Sequence, residues 1–160
     1  MPIYARLERA GARNVQVRAP RGSQDVLADL DARCDLVVVD APCTGTGTWR
    51  RNPDAKWRMR PGALEQRLKD QDAALAGARR FVKPGGRMLY VTCSLLRQEN
   101  EDRIAAFLAD TPQFRLIDPA QVARDAGLPT LAARAGEVGL RLSPATTQTD
   151  GFFIALLARL

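Results

Sequence analysis

Histidine is absent from all 160 residues, and that absence excludes several kinds of site. Ser-His-Asp and Cys-His catalysis both depend on an imidazole base, so neither is open to this chain. The commonest zinc ligand is missing as well, and Cys34, Cys43 and Cys93 lack C-x-x-C spacing, so we expect no metal site. Acid–base chemistry would have to come from aspartate, glutamate, cysteine, lysine or bound water.

Cysteine itself is scarce, and long apolar runs are missing. Three cysteines, an odd number, argue against a disulfide framework and favour a reducing compartment, so we expect a cytoplasmic protein. No apolar run approaches the roughly 20 residues of a membrane helix, and the first residues do not resemble a signal peptide. We therefore expect no membrane partner. The length of 160 residues predicts a single domain over residues 1–160.

Basic residues outnumber acidic ones, 24 to 18, which gives a net charge of +6. Such an excess suits a polyanion such as RNA, although an arginine-rich composition accounts for it equally well. Guanidinium groups contact phosphates and indole faces stack on unpaired bases, so a stretch that interleaves the two suits RNA binding, with a solvated loop as the alternative. The candidate RNA-binding residues are Arg50, Arg51, Lys56, Trp57 and Arg58, flanked by Trp49 and Arg60.

Two apolar runs predict strands that are buried on both faces. Residues 36–39 form a β-branched run that ends at Asp40, and residues 88–91 form a second run that ends shortly before Cys93. Between them, leucines at helical spacing predict a helix that is stopped by the turn at residues 83–86. The strand–helix–strand order predicts an open α/β sheet, in which ligands bind beyond the carboxyl ends of the strands.

Weaker patterns predict the remaining elements, and residues 118–138 show no clear pattern. These elements are the end of a helix over residues 3–10, a strand at 14–18, a helical turn at 25–30, a helix over 98–110, and strands at 114–117, 140–142 and 152–157.

Two thiols and a carboxylate are predicted to meet at the carboxyl edge of the sheet. Asp40 and Cys43 follow the first buried strand, and Cys93 follows the second. An ionised cysteine is a strong nucleophile, so one thiol could attack a substrate while the other thiol, or Asp40, moves a proton. Any cysteine can instead be a small buried hydrophobe, which is the interpretation we favour for Cys34.

The residues around these thiols resemble a known family, the Sun/Fmu-type RNA cytosine-5 methyltransferases. Residues 40–57, which begin Asp-Ala-Pro-Cys-Thr-Gly-Thr-Gly, are similar to the first cysteine motif of that family. Residues 90–94, followed by Glu-Asn-Glu at 99–101, are similar to its second cysteine motif. Residues 83–86 resemble the turn before the fifth strand of class I methyltransferases, and residues 149–153 resemble the family's closing strand pair.

The resemblance implies a reaction and its participants. Cys93 would add to carbon 6 of a cytosine, carbon 5 would accept a methyl group from S-adenosylmethionine, and Cys43 would assist release. Asp40 would lie between the cofactor and the base and contact either. The substrate would be RNA, most naturally ribosomal RNA, with its target base unpaired or turned out of the stack. In the loop that carries Cys43, Pro42 would restrict the backbone, and Gly45 and Gly47 would let it pass close to a ligand or a neighbouring strand.

The resemblance also implies that part of the domain is absent. The family binds its cofactor with a glycine-rich loop after the first strand and an acidic residue after the second, and nothing in residues 1–35 matches either. The family has a third acidic residue, after its third strand, near the adenine of the cofactor. Residues 19–21 stand at about that place and contain no acid, unless Asp25 takes the role. We therefore predict a partial class I, Rossmann-like methyltransferase sheet, mostly parallel with an antiparallel C-terminal strand, that lacks its first two strands. Such a chain would bind cofactor weakly or not at all and have little activity alone.

Without its first two strands, the sheet implied by the resemblance would expose the edge of the strand at residues 35–40. An open, apolar edge invites pairing, so we expect residues 14–18 or another chain, as in self-association, to cover it, or else a protein of marginal stability. Two alternative functions remain open. The chain could be a non-enzymatic relic of the family that binds RNA or a partner, or a thiol redox protein that uses Cys43 and Cys93.

Overall fold

The computed structural model describes residues 2–19, 22 and 25–160, and the chain divides into two compact units, Met1–Leu30 and Asp31–Leu160. In the first unit, helix α1 (Pro2–Arg9) is followed by Gly11, whose left-handed φ of 61° stops the helix, as the sequence predicts. A short 3-10 helix follows at Ala28–Leu30.

The predicted strand at residues 14–18 is wrong, because these residues form no strand in the described structure. The Arg18 side chain instead bonds to side chains of its own unit, donating to Gln16 over 3.0 Å and pairing with Asp29. Alternation of apolar residues only permits a strand, which also needs a neighbouring strand to pair with. Pro20 and Arg21, where the sequence suggests a missing adenine-side acid, lie outside the described residues.

The second unit, described throughout, contains one five-stranded sheet in the order β1-β2-β5-β3, with β4 also paired to β5. β1 and β2 are parallel, and β5 is antiparallel to each of its three neighbours, so four strands run one way and the last runs back. The predicted α/β class and mostly parallel sheet are therefore confirmed. The strands are β1 (Cys34–Asp40), β2 (Val82–Thr92), β3 (Phe114–Leu116), β4 (Leu140–Leu142) and β5 (Phe152–Arg159).

Helix α2 (Ala63–Ala78) connects the two parallel strands but ends earlier than predicted. The helix was predicted to continue to the turn at residues 83–86, but Val82 already belongs to β2 and the Lys-Pro-Gly-Gly turn lies inside that strand. Here the pairing register with β1 shifts, since Cys34 faces Val82 whereas Leu36 faces Arg87. The turn is a bulge within a strand, which glycines permit, rather than a helix stop.

The hydrophobic core includes residues of α2, of helix α3 (Glu101–Asp110) and of the sheet. Its buried members are Val39, Ala41, Leu75, Val82, Met88, Tyr90, Ile104, Phe107, Phe114, Phe153, Ala155 and Leu157. Successive side chains of a strand point to opposite faces, so Leu36 and Val38 of β1 point away from Val39, and they are 51% and 57% exposed. Within the described structure β1 pairs with β2 alone, so no strand is hydrogen-bonded to its other edge.

The segment without a clear sequence pattern contains two short helices, α4 (Pro119–Asp125) and α5 (Pro129–Ala132), and a third, α6 (Pro144–Thr147), precedes β5. Each begins with proline in its first turn, and Asp118 and Ser143 cap the first and last of them. None of the described helices is both long and apolar enough to cross a membrane.

Candidate active site

The sulfur atoms of Cys43 and Cys93 lie 3.4 Å apart, although 50 positions separate the residues in the chain. The topology of the sheet brings them together. β1 and β2 are adjacent and parallel, and Asp40 at the end of β1 pairs with Val91 near the end of β2. Both thiols are half-buried, and neither is in a disulfide.

Contact between the two thiols shifts their pKa values in opposite directions. A hydrogen bond from Cys43 stabilises the Cys93 thiolate and lowers the pKa of Cys93 from 9.0 to about 7, against the opposing effects of burial and of the charges on Asp40 and Glu99. The same bond, together with burial, raises the pKa of Cys43 well above its ordinary range. Above about pH 7 the pair therefore holds one thiolate, on Cys93, and one thiol that donates to it.

Two glycines shape the loop that carries Cys43. Gly45 has a φ of 72°, a left-handed conformation that other residues adopt only with strain. The Gly47 N–H donates to the carbonyl of Cys93 over 2.9 Å, and the Gly47 carbonyl accepts from Gly151 over 2.8 Å. Pro42 is exposed, and its carbonyl accepts a hydrogen bond from Gln71 over 2.9 Å. Backbone bonds thus fix this loop to the residue that carries the second thiol.

A buried carboxylate, Glu99, lies between the two loops and has no role in the sequence-based hypothesis. It accepts hydrogen bonds from Thr44, Ser94 and Gln71. The next residue, Asn100, is also fully buried and bonds on both sides of Cys93. The Glu-Asn-Glu triplet is visible in the sequence, but its partners are distant in the chain, so only the resemblance drew attention to it.

Two of the predicted RNA-binding residues form salt bridges with Asp150. Arg50 lies 3.1 Å from one carboxylate oxygen of Asp150, and Arg51 pairs with the other. The Asp150 side chain is only 8% exposed, whereas both arginines are more than half exposed. Asp150 therefore fixes the start of the basic stretch, and the free N–H groups of both arginines remain accessible to solvent.

The other predicted RNA-binding residues are open to solvent. Trp57 is 80% exposed, and the Lys56 ammonium lies 4.7 Å from the centre of its ring. Arg58 forms only a loose pair with Asp54, at 3.9 Å. A cleft of 460 Å³ runs from Cys43 along this stretch, and Arg67 of α2, which the sequence analysis missed, also lines it. The remaining lining residues are Thr44, Ala55, Arg58, Met59, Arg60, Pro61, Gly62, Ala63 and Gln66.

Asp40 is the one predicted cofactor contact, and it lies exposed at the carboxyl end of β1. A carboxylate in this position can accept hydrogen bonds from a polar ligand over the sheet edge. No strand precedes β1 among the described residues, so a glycine-rich loop following a strand is absent from that part of the chain. Of the cofactor contacts that the family resemblance implies, the described residues therefore contain Asp40 but not the glycine-rich loop. They also contain no group of three metal-ligating side chains.

The chain is similar in sequence to curated rRNA methyltransferases. It is 42% identical over 125 residues to ribosomal RNA small subunit methyltransferase B of Sodalis glossinidius, which covers 78% of this chain and 26% of that protein. It is 34% identical over 157 residues to the protein of the same name from Enterobacter sp. strain 638, which covers 98% of this chain and 33% of that protein. The chain thus spans about a third or less of the length of these relatives.

The fold is similar to that of solved structures as well. The crystal structure of PH0851 superposes with a TM-score of 0.79 at 34% sequence identity, over 97% of this chain and 33% of that one. The sequence profile described as 16S rRNA methyltransferase RsmB/F matches residues 2–158. This match confirms the resemblance carried by the two cysteine motifs, and the chain belongs to the RsmB/F family of 16S rRNA methyltransferases.

Proposed function

We propose that this chain carries the reacting thiols of an S-adenosylmethionine-dependent methyltransferase that modifies carbon 5 of a cytosine in ribosomal RNA. The observation that carries the proposal is the 3.4 Å contact between Cys43 and Cys93 at the carboxyl ends of two adjacent parallel strands. Membership of a family of rRNA methyltransferases supports the substrate and the transferred group. Such a reaction would take place in the cytoplasm, where ribosomes are assembled in bacteria like those of the relatives.

Cys93 is the nucleophile in this mechanism. Its thiolate forms a bond to carbon 6 of the cytosine, and the electron pair displaced from the 5,6 double bond makes carbon 5 nucleophilic. S-adenosylmethionine supplies the methyl group when bound. The carbon 5 proton then leaves to a base, the 5,6 double bond re-forms, and the bond from carbon 6 to the Cys93 sulfur breaks and restores the thiolate.

Cys43 has two tasks that its position allows. Before the reaction its thiol donates to Cys93 and keeps that sulfur ionised near neutral pH. After methyl transfer the Cys93 sulfur is bonded to carbon and no longer accepts that hydrogen bond. Loss of that hydrogen bond removes the main cause of the raised pKa of Cys43. Cys43 can then give its own proton to water and accept the proton that leaves carbon 5.

The basic stretch supplies the binding site for RNA. The cleft that begins at Cys43 is lined by Arg58, Arg60 and Arg67, which suit the phosphates flanking a target base. The exposed face of Trp57 suits stacking on an unpaired neighbouring base. The target cytosine would have to be turned out of its stack to reach the two thiols.

The cofactor is held only in part by this chain, with Asp40 as its contact. We therefore propose that residues 1–160 are a partial catalytic domain with weak cofactor affinity and little activity alone. Calorimetric titration with S-adenosylmethionine tests this. Micromolar binding would overturn the claim that the described residues supply only one side of the site.

A covalent trap tests the reaction itself. RNA that carries 5-fluorocytosine has no proton to lose from carbon 5, so an enzyme that has added Cys93 and transferred the methyl group stays attached. We expect an adduct stable to denaturing electrophoresis at saturating S-adenosylmethionine, which the variant Cys93→Ser abolishes. The matched variant Cys34→Ser should retain it, because Cys34 lies at the opposite end of β1 from Cys43.

Absence of any adduct, with both RNA and S-adenosylmethionine shown to be bound, would favour a non-enzymatic relic of the family. The 3.4 Å contact also favours a second candidate, a thiol redox protein, since a modest closure of the sulfurs would form a disulfide. Titration of free thiols separates the two. An untreated protein with an internal disulfide would show one free thiol, Cys34, and three after reduction.

A further inference from the structure

Glu99 is fully buried and lies between the two loops that carry the thiols. Towards the first loop, it accepts hydrogen bonds from the backbone N–H of Thr44, over 2.8 Å, and from the Thr44 hydroxyl. Towards the second loop, it accepts a hydrogen bond from the hydroxyl of Ser94. Thr44 and Ser94 directly follow Cys43 and Cys93, so a single carboxylate is bonded to the neighbours of both thiols.

Gln71 of helix α2 is a third hydrogen-bond partner of Glu99. The Gln71 side-chain N–H2 donates to Glu99 over 3.0 Å and to the carbonyl of Pro42 over 2.9 Å. Gln71 is itself fully buried. The backbone on both sides of Cys43, at Pro42 and at Thr44, is therefore tied directly or indirectly to Glu99.

Every polar group that contacts the Glu99 carboxylate is a donor. A carboxylate has only acceptors, so it satisfies this arrangement completely. Glutamine has nearly the same shape, but its N–H2 would face at least one of these donors and leave a buried group unsatisfied, which is costly. The site therefore requires a side chain that only accepts hydrogen bonds, rather than any side chain of that size.

We propose that Glu99 is a positioning residue that holds the Cys43 loop against the Cys93 loop, so that the Cys43 thiol stays in hydrogen-bonding contact with the nucleophile. The proposal rests on the proposed function, because it concerns the same thiol pair. Glu99 touches neither sulfur, and it acts through Thr44 and Ser94.

The electrostatic and positional effects of Glu99 on Cys93 have opposite signs. The charges that face Cys93 are those of Asp40 and Glu99, and each of them raises its pKa. Removal of the Glu99 charge alone would therefore lower the pKa of Cys93. Loss of the Cys43 contact would raise it, because that hydrogen bond is the main cause of the lowered value.

The test is the pH dependence of iodoacetamide alkylation at Cys93, followed by mass spectrometry in the full chain with Cys34→Ser as background. We expect Glu99→Gln to move the midpoint from about 7 towards the ordinary 9.0. Thr44→Val, which removes one donor and no charge, should move it in the same direction by less. An unchanged or lower midpoint in both variants would overturn the proposal, and Thr44→Val decides the matter if Glu99→Gln does not fold.

Two control variants separate positioning from general damage. Thr111→Val removes a buried hydroxyl that donates to Phe107 in α3, away from either cysteine loop, and Glu137→Gln makes the same chemical change at an exposed glutamate. Neither should move the midpoint, and a shift in Thr111→Val equal to that in Thr44→Val would overturn the proposal. The assay needs neither RNA nor cofactor. A failed covalent trap with a raised midpoint in Glu99→Gln would therefore reject the proposed function and leave the positioning role standing.

Discussion

The backbones of Gly47 and Gly151 lie directly against each other. The Gly151 N–H donates to the Gly47 carbonyl over 2.8 Å, and a Cβ added to Gly47 would fall 2.2 Å from the Gly151 carbonyl oxygen. The Gly47 N–H is used as well, since it donates to the carbonyl of Cys93. This single residue therefore links the loop of the first thiol to the residue carrying the second and to the turn before β5, and no side chain fits there.

The first prediction concerns that contact. Gly47→Ala should lower the free energy of unfolding by about 1–3 kcal/mol, because the backbone of Gly151 has to move to admit a methyl group. Gly77→Ala is the matched control, since a Cβ there meets no atom within 4 Å and Gly77 lies in the last turn of α2. It should raise stability by about 0.5–1 kcal/mol. Urea denaturation measures both, and similar effects of the two variants would contradict the prediction.

The second prediction concerns pH. Cys93 should be alkylated by iodoacetamide with a midpoint near pH 7, because its folded-state pKa is lowered from 9.0 to about 7. As the pH falls through 7 the thiolate is protonated and reactivity is lost. Cys43→Ala removes the donor that stabilises the thiolate, so the midpoint should rise. A midpoint that stays near 7 in this variant would show that Cys43 does not control the ionisation of Cys93.

The third prediction concerns the anchor of the basic stretch. Asp150→Asn removes the charge that pairs with Arg50 and Arg51 and should cost up to about 2 kcal/mol of stability, a limited loss because both arginines can be solvated by water. Asp54→Asn breaks only the loose, exposed pair with Arg58 and should leave stability unchanged. Chemical denaturation compares the two variants. Equal stability of both would mean that Asp150 does not hold the stretch in place.

The fourth prediction concerns stacking on RNA. Trp57 is 80% exposed, so Trp57→Ala should leave the fold intact yet weaken binding to single-stranded RNA by about 1–3 kcal/mol. Trp57→Phe retains an aromatic face and should restore much of the affinity. Fluorescence anisotropy with a short labelled RNA at fixed salt measures the difference. Equal affinities of the alanine and phenylalanine variants would exclude stacking at this residue.

The fifth prediction concerns the open edge of β1. If the chain self-associates through this edge, Val38→Lys should shift it towards the monomer, because charge on an exposed strand edge opposes pairing. Val15→Lys makes the same change at a valine that is 49% exposed outside the sheet, and it should have no effect. Sedimentation velocity over a range of concentrations distinguishes them. A wild-type chain that remains monomeric throughout would refute self-association.

Predictions for the sheet succeed where burial dictates composition. The runs at 36–39, 88–91 and 152–157 are apolar over several consecutive residues, and in the structure they fall within β1, β2 and β5. The strand predicted at 14–18 fails because alternation is a local signal, whereas a strand forms only beside a partner. Helix α4 was missed because at seven residues it is too short for a clear period, although Asp118 and Pro119 mark its start.

The sequence alone determined which groups are available for chemistry. With no histidine, nucleophile and proton donor have to come from cysteines and acids, and the two apolar strands locate Asp40, Cys43 and Cys93 at strand ends. Only the tertiary structure decided how these groups act on one another. The 3.4 Å contact, the burial of Glu99 and the capture of Arg50 and Arg51 by Asp150 join residues 28 to 100 positions apart. Such contacts depend on strand pairing and packing, which no local pattern of residues encodes.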